Sequence, residues 1–307
     1  MNGVAKEPCF LGIDVGGTQT RWALVESTGA LIAEGVAEGF SGMHLAVAQE
    51  SEGVNYRLST IAQMVRGAQQ QQRRLCGLRA GVTGIGTDAP RLASMIARAF
   101  DLDGDQVRVT SDAELSFHAV LAPGEGYLVY AGTGSIAAFI DEASVLHRAG
   151  GRGVSLDDAG GGYWIAREAL RRIWRREDEQ PGAWHNSAMA RALFAIVGGE
   201  SSIFAARYLM EKQRGEIGML AVAVAEHASN DALAAEILTD AGTELARLAN
   251  AMTHRYGKRA VVVAGRASQL HPLIEAALRR AMPADAVIEF RQVQAHIAAA
   301  KMAARLG

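Results

Sequence analysis

Two short glycine-bearing segments hold most of the chemistry legible in this chain. The first, "DVGGTQT" (Asp14–Thr20), joins two apolar strand-like runs, and the second, "AGTGS" (Ala131–Ser135), joins two more. Backbone N–H groups turned inward at a tight turn suit a phosphate chain. Glycine allows φ > 0 there and lets the backbone approach without a Cβ in the way. Gly16, Gly17 and Thr18 form the first cradle, and Gly132, Thr133 and Gly134 the second; Thr20 and Ser135 offer further hydroxyl donors. Asp14 would repel phosphate directly, and becomes sensible with a magnesium ion or its water in between. No Walker signature is present, and these glycines join antiparallel strands instead of opening a helix. An ordinary hairpin turn explains either tip alone. Two facing tips could hold a polyphosphate between two domains.

Three further positions could complete such a site. Asp112 ends "QVRVTSD" at a strand-to-helix junction, where α/β sheets open their ligand crevice. Its carboxylate could accept a hydroxyl proton as a general base, or cap the helix "AELSFHAVL", or do both. The loop Gly150–Tyr163 carries Asp157 and Asp158 together, either as acceptors for a polyhydroxylated ligand or as acidic groups at a helix start. The strand in "RAVVVAGRAS" stops at Gly265, followed by Arg266.

The elements that position these residues read in order. Phe10–Val15, Arg21–Glu26 and Leu31–Val36 predict an antiparallel meander. In "VNYRLSTIAQMVRGA", Val54, Leu58, Ile61 and Val65 fall at helical spacing. "LRAGVTGIG" is a strand ending in glycines; "DAPRLASMIARAF" is a helix with Asp88 as its N-cap and Pro90 in the first turn. The pattern then restarts at "YLVYAGTGSIAAFI". Laid over Phe10–Val25, it sets Gly134 on Gly17, Ser135 on Thr18 and Ala131 on Asp14, which implies an internal duplication. A mostly helical stretch from about Met189 to Arg255 has Leu238, Ala241, Leu245, Leu248 and Met252 as a core stripe. A strand, the helix "HPLIEAALRRAM", the strand "AVIEF" and a closing helix "VQAHIAAAKMAARL" follow. The domain boundary falls near Ala119–Gly126.

Composition bounds the function. At 307 residues, 49% hydrophobic and with a formal net charge of -2, the chain has ample core for two domains and no basic field for nucleic acid or an anionic membrane. Cys9 and Cys76 are too few for a disulfide framework and are expected to be buried reduced thiols. "MNGVAKEP" reads as neither a signal peptide nor a membrane span, so a cytoplasmic location is expected.

The ordered set of "GIDVGGTQTRWALV", "TSDAELSF", "AGTGSIA", "GGRGVSLDDAGGGYWIAREAL" and "VVVAGRASQLHPLIEAAL" resembles the sugar-kinase branch of the actin/hexokinase/Hsp70 superfamily. Within it, the chain is most similar to the N-acetylglucosamine kinases of the BadF/BadG/BcrA/BcrD ATPase family. The resemblance implies an α/β fold of two ribonuclease H-like domains, with mixed sheets flanked by helices and a central cleft. These domains would span 1–118, rejoined by a C-terminal helix at 292–307, and 119–291. It implies ATP and Mg2+ as cofactors, and transfer of the γ-phosphoryl group to an amino sugar, N-acetylglucosamine first, with glucosamine or another hexose as alternatives. The implied catalytic base is Asp112, and Asp14 orients Mg2+ through water. Gly16, Gly17, Thr18, Gly132, Thr133 and Gly134 hold phosphates, and Gly265 and Arg266 the adenosine. Thr83, Asp112, Thr133, Gly151 and Asp158 are the implied sugar contacts, and a homodimer is an implied assembly.

The chain departs from the pattern in three places. A Gly-Asp-Glu-Gly run becomes Asp157-Asp158-Ala159-Gly160; an asparagine after the third strand is replaced by Gly42, Met43 and His44; and Arg266 stands where a small residue is usual. These leave open a sensor that binds sugar without turnover. A third reading, an activator of a radical dehydratase, needs paired cysteines for an iron–sulfur cluster, and none follows "AGTGS".

Overall fold

Gly12 explains why the first strand can be covered on both faces. A Cβ at this position would overlap the backbone of His296 and Ala300, so the C-terminal helix lies directly on the strand. In the computed structural model, which describes residues 6–69 and 73–305, that strand is β1 (Glu7–Val15). It is followed by β2 (Gln19–Glu26), β3 (Leu31–Glu38), α1 (Ala48–Gln69), β4 (Arg73–Val82), α2 (Ala89–Phe100), β5 (Val107–Ser111) and α3 (Asp112–His118). Met1–Ala5, part of the N-terminal segment read above, and Leu306 of the closing helix lie outside the described residues.

The second half repeats the plan: β6 (Gly126–Ala131), β7 (Ser135–Ile140), β8 (Leu146–Gly150), α4 (Gly162–Glu179), α5 (Ala188–Val197), α6 (Ser202–Glu211), α7 (Arg214–His227), α8 (Ala232–Tyr256), β9 (Ala260–Ala264), α9 (Pro272–Ala281) and β10 (Ile288–Phe290). The chain ends on α10 (Ala295–Ala304). One sheet has the order β3-β2-β1-β4-β5, and the other, read from its far edge, β8-β7-β6-β9-β10. In each, the first three strands are antiparallel and the last two join in parallel. The duplication is therefore one of topology. Its register differs from the sequence overlay, because Val15 pairs with Thr20 whereas Ala131 pairs with Ser135. The second tip is one residue shorter, so Ala131 matches Val15, and Tyr130 takes the place of Asp14.

The chain divides into two compact units, Met1–Val120 with Val293–Gly307, and Leu121–Gln292. In the first, Leu11, Ile13 and Leu78 meet Leu58, Ile61, Leu92 and Ile96 on one face of the sheet. On the other face Phe10, Ala23 and Val25 meet Ala300 and Ala303. In the second, the predicted stripe of α8 is buried in the core, with the helix lying against β6, β7 and β8. Cys9 is buried, and desolvation pushes its thiol up to about 11. Cys76 is only half-buried, contrary to expectation: Cys9 pairs with Leu75 and Phe10 with Gly77, so Cys76 is the extra residue of a bulge. Among the described residues no single helix is long and apolar enough to cross a membrane.

Candidate active site

In the first unit, strand ends and one helix start bring together Asp14, Thr83 and Asp112. Asp14 lies near the end of β1, opposite Arg21 on β2. Burial pushes its carboxyl up to about 6; the Asp112 charge adds to the rise and Arg21 opposes it. Asp112 is the first residue of α3. The cap is Ser111, whose Oγ accepts from the Glu114 N–H at 3.2 Å. The N-cap position considered for Asp112 thus belongs to its neighbour, while Asp112 Oδ1 still accepts from the Ala113 N–H in the first turn of α3. Burial raises its pKa, while the Ala113 N–H (2.9 Å from Oδ1) and the Thr83 side chain hold it back.

Thr83, just past β4, is the joint of this half-site. Its N–H donates to the Val15 carbonyl at 3.0 Å, and its own carbonyl accepts from the Gly42 N–H at 2.9 Å and the Ser41 hydroxyl at 3.3 Å. A capping box between Ser41 and His44 closes the short turn Gly42–Ala46. Gly42 has a steric cause, because a Cβ here would overlap the Ile85 backbone. The departure at this position thus follows from how closely the segment after β4 approaches.

The first tip keeps only part of its expected donor set. Gly16 donates to the Gln19 carbonyl at 3.0 Å and Gly39 to the Thr18 carbonyl at 3.0 Å. The Thr20 hydroxyl is buried and donates to the Glu38 carbonyl at 3.1 Å, so it is no phosphate donor; Thr18 is exposed. None of Gly16, Gly17, Gly132 and Gly134 has positive φ. At Gly17 a Cβ would meet nothing within 4 Å. Gly17 thus offers open backbone, and none of the four tip glycines is there for left-handed geometry.

In the second unit, the tip, the acidic loop and the end of β9 converge. A Cβ at Gly134 would overlap Asp158 Oδ2, so this carboxylate, 8% exposed, lies against the tip. Asp158 has φ 56°, a left-handed conformation that aspartate tolerates, and its Oδ1 accepts from the Gly153 N–H at 3.0 Å. Burial raises its pKa; the Gly153 and Arg152 N–H groups and Arg214 oppose this, and Asp157 adds to it. The Ser135 hydroxyl, expected to reach phosphate, is buried and donates to the Ala159 carbonyl at 2.7 Å. That bond locks the loop at the altered Ala159. Gly151, φ 62°, donates to the Ser135 carbonyl at 2.9 Å. The first two N–H groups of α4 donate to the carbonyls of Gly132 (2.9 Å) and Thr133 (3.0 Å), which leaves the exposed Thr133 hydroxyl free. Gly265 has φ 96°, and a Cβ there would overlap the Ala131 carbonyl. Only glycine fits there. The Arg266 side chain is exposed.

Arg21 and Ser41 were missed at the sequence level. A four-residue tip places Arg21 opposite Asp14, and the Ser41-x-x-His44 spacing is the signal for the capping box.

The sequence profile of the BadF/BadG/BcrA/BcrD ATPase family matches residues 11–300. The chain belongs to that family. Among similar proteins is the N-acetyl-D-glucosamine kinase of Dictyostelium discoideum, 26% identical over 178 residues, 55% of this chain and 55% of that protein. The match thus spans about half the length of this curated relative. A candidate N-acetylglucosamine kinase from Chromobacterium violaceum superposes with a TM-score of 0.71 at 20% identity, over 98% of this chain and 99% of that one. A ROK family glucokinase from Streptomyces griseus, in complex with glucose and AMPPNP, gives 0.63 at 17% identity over 97% and 100%. This family member shares its fold with both of these solved structures along nearly the whole chain.

Proposed function

We propose that this protein is an ATP-dependent sugar kinase that phosphorylates an amino sugar, N-acetylglucosamine first, on its primary hydroxyl. The observation that carries this reading is Asp112: a half-buried carboxylate with raised pKa at the start of α3, held by the Thr83 side chain and the Ala113 N–H. Such a group matches a general base for a sugar hydroxyl. Asp112 takes the hydroxyl proton, the sugar oxygen bonds to the γ-phosphorus, and the bond from that phosphorus to the bridging oxygen of ADP breaks. Gly16, Gly17 and Thr18, and Gly132, Thr133 and Gly134, hold the phosphates; Gly265 lets adenosine approach the backbone. Thr83, Gly151 and Asp158 orient the sugar.

The donor set fits Mg2+. Asp14 and Asp112 repel each other, and Arg21 is the one cation opposing the rise at Asp14. Among the described residues no cluster of three or more ligating side chains forms a dedicated metal cage. An ion that keeps its waters and is shared with phosphates is the mode Mg2+ favours, with one or two carboxylates beside it. Bound there, Mg2+ neutralises phosphate charge.

The test is ADP release by purified protein with Mg-ATP and a panel of N-acetylglucosamine, glucosamine and glucose. Sugar-dependent ADP release, fastest with N-acetylglucosamine, is expected. No sugar dependence across the panel overturns the kinase reading.

A further inference from the structure

Outside the site just described, β4, β5, α3 and α10 surround a guanidinium that makes no ion pair among the described residues. Arg79 stands in the middle of β4, half-buried, between Gly77 and Gly81. Its Nε is buried and has no hydrogen-bond partner among the described residues. Its Nη1 reaches only the Met302 thioether, 4.0 Å away on α10, a weak acceptor that does little to balance a charge. The parallel register sets Arg108 of β5 beside Arg79, and Arg108 is exposed.

Helix α3 adds Glu114 and His118, both half-buried. Glu114 is close enough for its charge to act on Arg79, yet no hydrogen bond or ion pair joins them. Burial and the neighbouring Arg79 push the His118 imidazole down, which leaves it neutral with one N–H to donate. Burial and Arg108 lower Arg79 itself. Arg79 therefore feels one carboxylate and one like charge, and its Nε has no hydrogen-bond partner among the described residues. Folded chains pair such groups, because an uncompensated buried charge is strongly destabilising.

We propose that Arg79, Arg108 and His118 form a binding site for a tetrahedral oxyanion, inorganic phosphate or the phosphate of a monoester. The forked guanidinium of Arg79 presents adjacent N–H donors to two oxygens of one phosphate. Arg108, at the solvent side, takes a third oxygen and offers the way in. The site is independent of the kinase reading and shares no residue with the phosphate tips.

The experiment is calorimetric titration of inorganic phosphate, and separately of glycerol 3-phosphate, into the full chain saturated with a non-hydrolysable ATP analogue, at constant ionic strength in chloride. A binding event that the nucleotide does not displace is expected, weakened about tenfold or more by Arg79→Met and by Arg108→Gln. Saturation by inorganic phosphate assigns the free ion; saturation by glycerol 3-phosphate alone assigns a monoester. Arg79→Met also raises the unfolding midpoint of the anion-free protein, since it removes an unpaired charge. Should Arg79→Met fail to fold, Arg108→Gln at its exposed position decides. No event, an event abolished by the analogue, or one unchanged in both variants overturns the proposal.

Discussion

At the residue scale, Asp14 and Asp112 are costly to the empty protein. The Asp14 carboxyl, raised to about 6, binds its proton more tightly in the folded chain than in the unfolded one. Native protein therefore holds the extra proton between about pH 4 and pH 6, and stability falls as pH rises through that window. Asp14→Asn should raise the unfolding free energy of nucleotide-free protein at pH 7.5 by on the order of 2 kcal/mol. The difference should shrink on acidification from pH 6 to pH 4, as thermal melts across pH will show. Asp112→Asn should cut kcat by roughly 10²–10⁴-fold and leave sugar affinity within about twofold, separable by turnover and direct binding. Since both carboxyls are raised, the acid limb of kcat/KM should lie above the ordinary carboxylate range. The identities of Asp14 and Asp112 were legible as carboxylates beside strand ends. The loss of the Thr20 and Ser135 hydroxyls was not, because it depends on Glu38 and Ala159 carbonyls at 18 and 24 residues' separation.

At the element scale, the site rests on close backbone approaches. Gly265→Ala combines positive φ with overlap of the Ala131 carbonyl. It should destabilise the second unit by about 1–3 kcal/mol and raise the KM for ATP, read by melts and steady-state kinetics. Gly42→Asn would force Ile85 away and disturb Thr83, which Gly42 holds through its N–H. A several-fold rise in sugar KM is expected, with ATP KM unchanged. The strands and helices themselves were legible from apolar spacing and glycine punctuation. Which glycine must be glycine was not, since the atom that forbids a side chain belongs to another element each time.

At the scale of the whole molecule, α10 is remote in sequence from the unit it completes. It covers Gly12, Phe10, Ala23 and Val25 with Ala299, Ala300 and Ala303. Truncation after Gln292 should therefore unfold the first unit and leave 121–292 resistant to limited proteolysis, visible as a stable fragment. Survival of both units would contradict the packing described for α10.

The strand–tip–strand repeat, the alternation of strand and helix, and the carboxylates at strand ends are local properties, and the order of residues alone determined them. Periodicity and turn chemistry act within a few positions, so no folded context is needed to see them. Tertiary structure alone decided which hydroxyls remain free, and that the Arg79 Nε finds no hydrogen-bond partner among the described residues. Each of these depends on whether a partner atom distant in the chain comes within hydrogen-bonding reach, and folding supplies that distance.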